Sequence, residues 1–265
     1  MPDKDAAALL EAYDSGTQVA PLSDNHALTL DKGYGLAAQI HAMRTARGER
    51  PVGRKIGFTN RTIWPIYNVN APVWGWIYDS TLHDIPADGV IALPNLPEVR
   101  LEPEIAFGLS RAPEPDMTPL DLATICIDWA AHSLELVFSA YPGWRFTAPD
   151  TAAAFGMHGA LWLGDRVAAA PAFGPDGKGL DAFTLTLSGP NECHTGASQD
   201  VLGSPLLALA HLVGTLTAQN APALQAGDVI TTGTLTDARP IHAGQRWRTD
   251  LSGTALPGLD VTFSA

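Results

Sequence analysis

In "RLEPEIAFGL", residues 100–109, two glutamates stand two positions apart among apolar residues, with a proline between them. An extended chain sends alternate side chains to opposite faces, so Arg100, Glu102 and Glu104 share one face and Leu101, Pro103 and Ile105 the other. Two carboxylates about 5 Å apart repel by roughly 3 kcal/mol at an effective dielectric of about 20, which calls for a cation between them. Pro103 lacks an N–H and keeps Glu102 extended, which suits an edge or bulged strand beside a site. Glu135 in "HSLELVF" is likewise flanked by apolar residues and would complete a three-carboxylate set, whose all-oxygen ligation suits Mg²⁺ or Mn²⁺ better than zinc. The competing reading is a solvated strand face with Arg100 as counter-ion, and spacing alone favours it.

Other side chains with chemical potential are more ambiguous. Lys55 in "GRKIGF" alternates with Ile56; pointing inward, it would need an anion and could act as a general acid or electrostatic stabiliser, although a lone lysine more often faces solvent. His158 in "FGMHGALWLG" stands between glycines and is the best-placed histidine, while His132 reads as a helix residue with no special role. The run "TTGTLT", Thr231 to Thr236, follows a strand and could offer hydroxyls, Thr232 and Thr234 among them, and N–H groups to a carboxylate; a plain turn is an equal alternative. There is no G-x-S-x-G elbow, Walker lysine loop or G-x-G-x-x-G fingerprint, which removes the main support for serine-hydrolase and nucleotide readings.

The elements that must position these residues read as α+β. Ala7, Leu9, Leu10 and Tyr13 give a first helical stripe, and "LDKGYGLAAQIHAMRTARGE" a second helix ending near Gly48. Residues 1–50 are therefore expected to form a helical N-terminal portion and 51–265 a β-rich catalytic domain. From Pro51 the texture changes to short β-like runs divided by Gly and Pro: "VGRKIGF", "VWGWIY", "GVIALP" and "RLEPEIAFGL". "TPLDLATICIDWAAHSLELVF" starts with a capping Thr118 and Pro119 and predicts a mid-chain helix; "SPLLALAHLVGTLTAQN" predicts another from Ser204. The end returns to β-like runs, and the order lacks the strict alternation of a doubly wound sheet.

Composition narrows the class. The chain has 265 residues, 46% apolar and 17% charged, enough to bury a full core. A net charge of -12 and the lack of a basic run argue against a nucleic-acid partner. The longest uncharged run, Val201 to Gly227, holds His, Asn, Gln and prolines and suits a buried helix plus a turn better than a membrane span. Cys126 and Cys193 lack zinc-site spacing and read as free thiols. Early acids in "MPDKDAAALLEAYDSG" do not resemble a secretory signal, so a cytoplasmic protein is expected.

The segments "GRKIGFTN", "APVWGWIYD", "RLEPEIAFGL", "LELVF", "VLGSPLLALAHL" and "AGDVITTGTL", in this order, resemble the 2-keto-4-pentenoate hydratase and 4-oxalocrotonate decarboxylase family, within the fumarylacetoacetate hydrolase-like superfamily. The resemblance extends from about Leu28 over nearly all the rest of the chain. It implies a helical N-terminal portion followed by a mixed β-sandwich roll, Glu102, Glu104 and Glu135 as ligands of Mg²⁺ or Mn²⁺, and Lys55 facing a bound 2-oxo acid. It also implies a homo-oligomer.

By this resemblance the chain is expected to be a metal-dependent lyase, a hydratase acting on a 2-hydroxydienoate in aromatic or related catabolism. The alternatives are a 4-oxalocrotonate-type decarboxylase, an acylpyruvate C–C hydrolase, or a non-catalytic scaffold for another catabolic enzyme. Val73 stands where hydratases of the family typically carry an aspartate and decarboxylases an apolar residue, while Phe138 and Ala140 replace a common aspartate and arginine. A more apolar pocket follows, with His158 and Asp79 as substitute proton carriers and Val73, Trp74, Trp76, Phe155 and Trp162 as lining or core residues.

Overall fold

A computed structural model describes residues 3–25, 27–67, 69–174 and 176–265. Asp3 caps α1 (Lys4–Ser15) through the Asp5 N–H, and Thr29 caps α2 (Leu30–Ala46) through that of Lys32. The apolar stripes of both helices enter a core with Phe138, Tyr141, Phe155 and Met157, and α2 packs along α5 (Ala148–Ala153). Between them run β1 (Pro51–Gly57), the short α3 (Trp64–Tyr67), β2 (Val73–Tyr78), β3 (Leu82–Asp84), β4 (Val90–Ala92), β5 (Arg100–Leu109), α4 (Pro119–Asp121) and β6 (Ile127–Val137). After α5 come β7 (His158–Leu163), β8 (Val167–Ala168), α6 (Ala169–Phe173), β9 (Thr184–Ser188), β10 (Cys193–Ala197), α7 (Pro205–Ala218), β11 (Val229–Thr231), β12 (Arg239–Pro240), β13 (Arg246–Ser252) and β14 (Asp260–Ser264).

The strands form two mixed sheets. The larger runs β2-β1-β11-β5-β6-β7-β3, with β12 added to β5 and β8 to β6; the smaller runs β10-β9-β13-β14-β4. Parallel pairs (β1 with β11, β3 with β7, β14 with β4) interrupt otherwise antiparallel ladders. Phe107, Leu134, Leu136, Leu187, Trp247 and Phe263 belong to one core together with α7, whose Leu206, Leu209, Leu212, Val213 and Leu216 are buried. The arrangement is the expected α+β roll. Ser198–Ala218 has the length and hydropathy of a membrane span, but the apolar face of its helix is spent on this core.

Two expectations need correction. Thr118 and Pro119 do start a helix, closed by a Thr118–Asp121 capping box, but it ends at Asp121, passes through one wide turn over Leu122–Cys126 and becomes the eleven-residue strand β6. His132 and Glu135 therefore lie on a strand. β5 is also not an edge strand, since it is flanked by β11 and β6. Pro103 is tolerated for a more local reason. Its carbonyl accepts the Leu235 N–H, so its missing N–H would face the loop that separates β11 from β12, where the ladder is already broken.

Candidate metal centre

The β5–β6 register puts Glu102 directly opposite Glu135, and Glu104 opposite Ser133. One carboxylate oxygen from each of Glu102, Glu104 and Glu135 lies within 4.8 Å of the others. Glu104 and Glu135 are fully buried and Glu102 partly so. Like charges opposite each other on a ladder are destabilising, more so when buried, so the arrangement calls for cations.

Lys55 supplies one. Its position on β1 turns it to this face, with Nζ 3.3 Å from Glu135 Oε2 and the side chain 3% exposed. A Cβ at residue 57 would stand 2.9 Å from this ammonium, so Gly57 leaves it room. Burial opposes its charge, but the attraction of Glu135, Glu102 and Glu104 outweighs that and raises its pKa. Lys55 is thus held as an ammonium beside the three carboxylates.

The carboxylates respond unequally. Burial raises Glu104 well above the usual carboxylate range, helped by the charges of Glu135 and Glu102. Burial also raises Glu102, against the pull of Lys55. Glu135 goes the other way: burial is outweighed by Lys55 and by a hydrogen bond from His158, which leave its pKa lowered. With all three ionised, one lysine leaves two negative charges unbalanced, the charge of a divalent cation.

Two oxygen atoms support such an occupant. Glu104 Oε1 and Glu135 Oε2 are buried without a hydrogen-bond partner, the Lys55 contact being an ion pair that is poorly aligned for one. The companion atoms are fixed: Glu104 Oε2 accepts the Gly233 N–H at 2.9 Å, and Glu135 Oε1 pairs with His158 Nδ1 at 2.7 Å. Gly233 has φ +98°, and a Cβ there would lie 1.8 Å from Thr59 Oγ1, so only glycine can present that N–H. Oriented carboxylates with free oxygens fit a hard divalent cation.

His158 is placed to act through Glu135. It is 1% exposed, and Nε2 meets Thr81 Oγ1 at 2.9 Å, so both ring nitrogens are engaged. The ring, expected as a proton carrier, lies against Glu135 and outside the pocket wall. His132, expected to be idle, instead ties the sheets together, with Nδ1 at Glu104 O and Nε2 at Thr249 Oγ1 on β13, both 2.9 Å. Burial drops its pKa to about 4, so it is neutral at pH 7.

The cluster opens into a cavity of about 220 Å³ whose wall includes Lys55, Glu102, Arg100, Thr234, Asp237 and Arg239, with Phe58, Val137, Trp144, Phe146 and Met157 as its apolar part. Other sequence candidates lie elsewhere. Trp74 stacks on Tyr34 and, with Trp76, borders a separate cavity between α2 and the end of α7; Phe155 packs on Tyr13 and Phe138. Val73 is buried on β2 opposite Gly57, outside the wall, and Trp162 packs at a tilt against His83. Asp79 sits in the turn after β2, where it accepts both the backbone N–H and Nε–H of Arg50, also outside the wall. Thr232 donates to Ile105 O on β5, and Thr234, although in the cavity wall, donates to Thr236 O of its own loop, so both hydroxyls are engaged by backbone carbonyls. The N–H that does meet a carboxylate is that of Gly233.

Sequence spacing does not single out Trp144, Phe146, Phe58 or Asp237. They come from loops far apart in the chain, and nothing in their local pattern marks them as neighbours.

This roll, with its carboxylates on adjacent central strands, is of the fumarylacetoacetate hydrolase type. A structure of 4-oxalocrotonate decarboxylase from Pseudomonas putida G7, complexed with magnesium and adipate, superposes with a TM-score of 0.86 at 21% identity, over 98% of this chain and 95% of that one. No family model matches the chain. A 2-hydroxyhexa-2,4-dienoate hydratase of Comamonas testosteroni is 30% identical over 257 residues, 96% of this chain and 95% of that protein. A 4-oxalocrotonate decarboxylase of a Pseudomonas species is 29% identical over 240 residues, 90% of each. The chain belongs to the 2-keto-4-pentenoate hydratase and 4-oxalocrotonate decarboxylase family.

Proposed function

We propose that the chain is a divalent-metal-dependent lyase that hydrates an unsaturated 2-oxo acid presented as its 2-hydroxydienoate. The observation that carries this reading is the trio of carboxylates with two unbonded buried oxygens beside a protonated lysine at the base of a small cavity. Glu102, Glu104 and Glu135 would hold Mg²⁺ or Mn²⁺, which when bound supplies a charge that stabilises the substrate carboxylate and 2-oxygen as the dienol ketonises.

The protein's own groups do the rest. Lys55, kept protonated by its three acidic neighbours, donates toward the 2-oxygen and stabilises negative charge there. His158 and the Gly233 N–H hold Glu135 and Glu104 in place. Phe58, Trp144 and Phe146 keep bulk water from the conjugated tail, and Asp237, a carboxylate in the wall outside the trio, is available to take a proton from an attacking water.

A decarboxylase of a vinylogous oxo-diacid is the second reading, favoured by the apolar Val73 on β2. Incubation of the Mg²⁺ form with 2-hydroxypenta-2,4-dienoate, 2-hydroxyhexa-2,4-dienoate and 4-oxalocrotonate separates the two. A 4-hydroxy-2-oxo acid supports hydration, CO₂ supports decarboxylation, and no consumption of any of the three defeats both.

A further inference from the structure

The cavity above the carboxylates shares part of its wall with a second space. This groove, of about 410 Å³, runs past Leu93, Leu96, Val99 and Ile241. Arg100 and Trp144 are the two residues that border both spaces. The Arg100 guanidinium lies over the Trp144 ring, 4.0 Å from its centroid, so the stacked pair forms the partition.

Trp144 is held there against its backbone preference. It has φ +56° and follows Gly143 at φ +67°, in the left-handed region that bulky residues avoid. Such a conformation persists when surrounding contacts enforce it. Here they do: the Gly143 N–H donates to Glu98 Oε1 at 2.9 Å, the indole N–H donates to Glu98 O at 3.2 Å, and Glu98 Oε1 also accepts from Gln18. Phe58 and Met157, which also line this cavity, have positive φ as well.

We infer that Trp144 is the specificity-determining residue that limits the length of the substrate's tail. The inference rests on the proposed 2-oxo acid site, because the length is counted from the carboxylate cluster outward. With the indole present, the cavity of about 220 Å³ admits a short unsaturated acid. Without it, the cavity joins a groove whose wall carries Glu98 and His242 as well as Leu93, Leu96, Val99 and Ile241, so the acids gained are those with longer tails that can lie along its apolar side.

The test uses binding as well as turnover. Straight-chain 2-oxo acids from 2-oxobutanoate to 2-oxooctanoate are titrated calorimetrically against the Mg²⁺-loaded parent, Trp144→Ala and Trp144→Phe, with circular dichroism to check folding. In the parent, affinity stops rising or falls as the chain lengthens. Trp144→Ala gains about tenfold or more for 2-oxooctanoate relative to 2-oxobutanoate, the scale of discrimination a few methylenes give in an apolar pocket. Trp144→Phe, which keeps a ring in the partition, falls between. An unchanged length profile in folded Trp144→Ala, or, should that variant not fold, in Trp144→Phe, overturns the inference, as does a parent that already binds 2-oxooctanoate best. Absence of 2-hydroxydienoate turnover by the parent, with the length shift intact, instead overturns the lyase reading alone.

Discussion

Glu102 on β5 stands directly across the ladder from Glu135 on β6, a pairing of like charges in the middle of a nine-stranded sheet. Such pairs cost stability on their own, so the metal-free protein carries a local repulsion that a bound divalent cation removes. Glu102→Gln, which removes the carboxylate whose charge burial disfavours and keeps the Lys55–Glu135 pair, should raise the thermal midpoint of the chelator-treated protein or leave it unchanged, while abolishing most of the gain that Mg²⁺ or Mn²⁺ gives the parent. Scanning calorimetry with and without metal reads both effects. A variant that is stabilised by metal as strongly as the parent would remove Glu102 from the ligand set.

Lys55 is expected to separate catalysis from folding. Its ammonium is the only basic side chain in ion-pair contact with the carboxylates among the described residues, the imidazole of His158 aside. In Lys55→Met the buried stem is kept and the charge lost, so the metal-loaded protein should stay folded. Turnover of a 2-hydroxydienoate should fall by about two to three orders of magnitude, the cost of losing a donor aimed at developing negative charge. Steady-state kinetics at saturating metal checks this, and activity within about threefold of the parent, a margin of about 0.65 kcal/mol, would place Lys55 outside the mechanism.

The contrast between β5 and β6 explains how much of the site is legible in the sequence. In β5 the charged positions alternate with apolar ones, so a period of two is visible and by itself places Glu102 and Glu104 on one face. In β6 residues 130–137 are all buried, on both faces, which erases the alternation. What remains is the spacing of Leu122, Cys126, Ala130 and Leu134, which mimics a helix. The wide turn at Leu122–Cys126 is the part of that pattern that is helical. Pairing partners are out of reach of spacing altogether: neither Gly233 under Glu104 nor His158 beside Glu135 is close in sequence to the carboxylate it holds. Family resemblance supplies Glu135, where spacing cannot.

For His158 the expected signature is that of a positioning residue. His158→Ala removes the hydrogen bond to Glu135 Oε1 and should weaken metal affinity by about tenfold to a hundredfold, the usual effect of losing a partner that orients a ligand. His158→Asn, which can present an N–H near the Nδ1 position, should recover part of that loss. At saturating metal the pH-rate profile of both variants should keep the parent's shape. Loss of one limb of the profile in His158→Ala, with metal affinity intact, would return the ring to the role of proton carrier.

Acid stability should report a different cluster, between α2 and β2. Glu49 accepts from Arg44, Arg47 and Ser80, and Arg44 lies over the Tyr78 ring. Although burial alone would raise it, hydrogen bonds from Arg44, Ser80 and Arg47 draw its pKa down from 4.5 to about 2. A carboxylate whose pKa is lower in the folded state favours folding above its unfolded value, and that contribution fades as pH falls toward the folded one. Stability attributable to Glu49 should therefore be full above about pH 5 and largely gone near pH 2. Glu49→Gln should be less stable than the parent at pH 7, by an amount that shrinks as the solution is acidified. Urea unfolding of the two proteins at pH 7, 5, 4 and 3 gives the comparison, and a difference that stays constant from pH 7 to pH 3 would show that the arginine pairing of Glu49 does not set the acid limb.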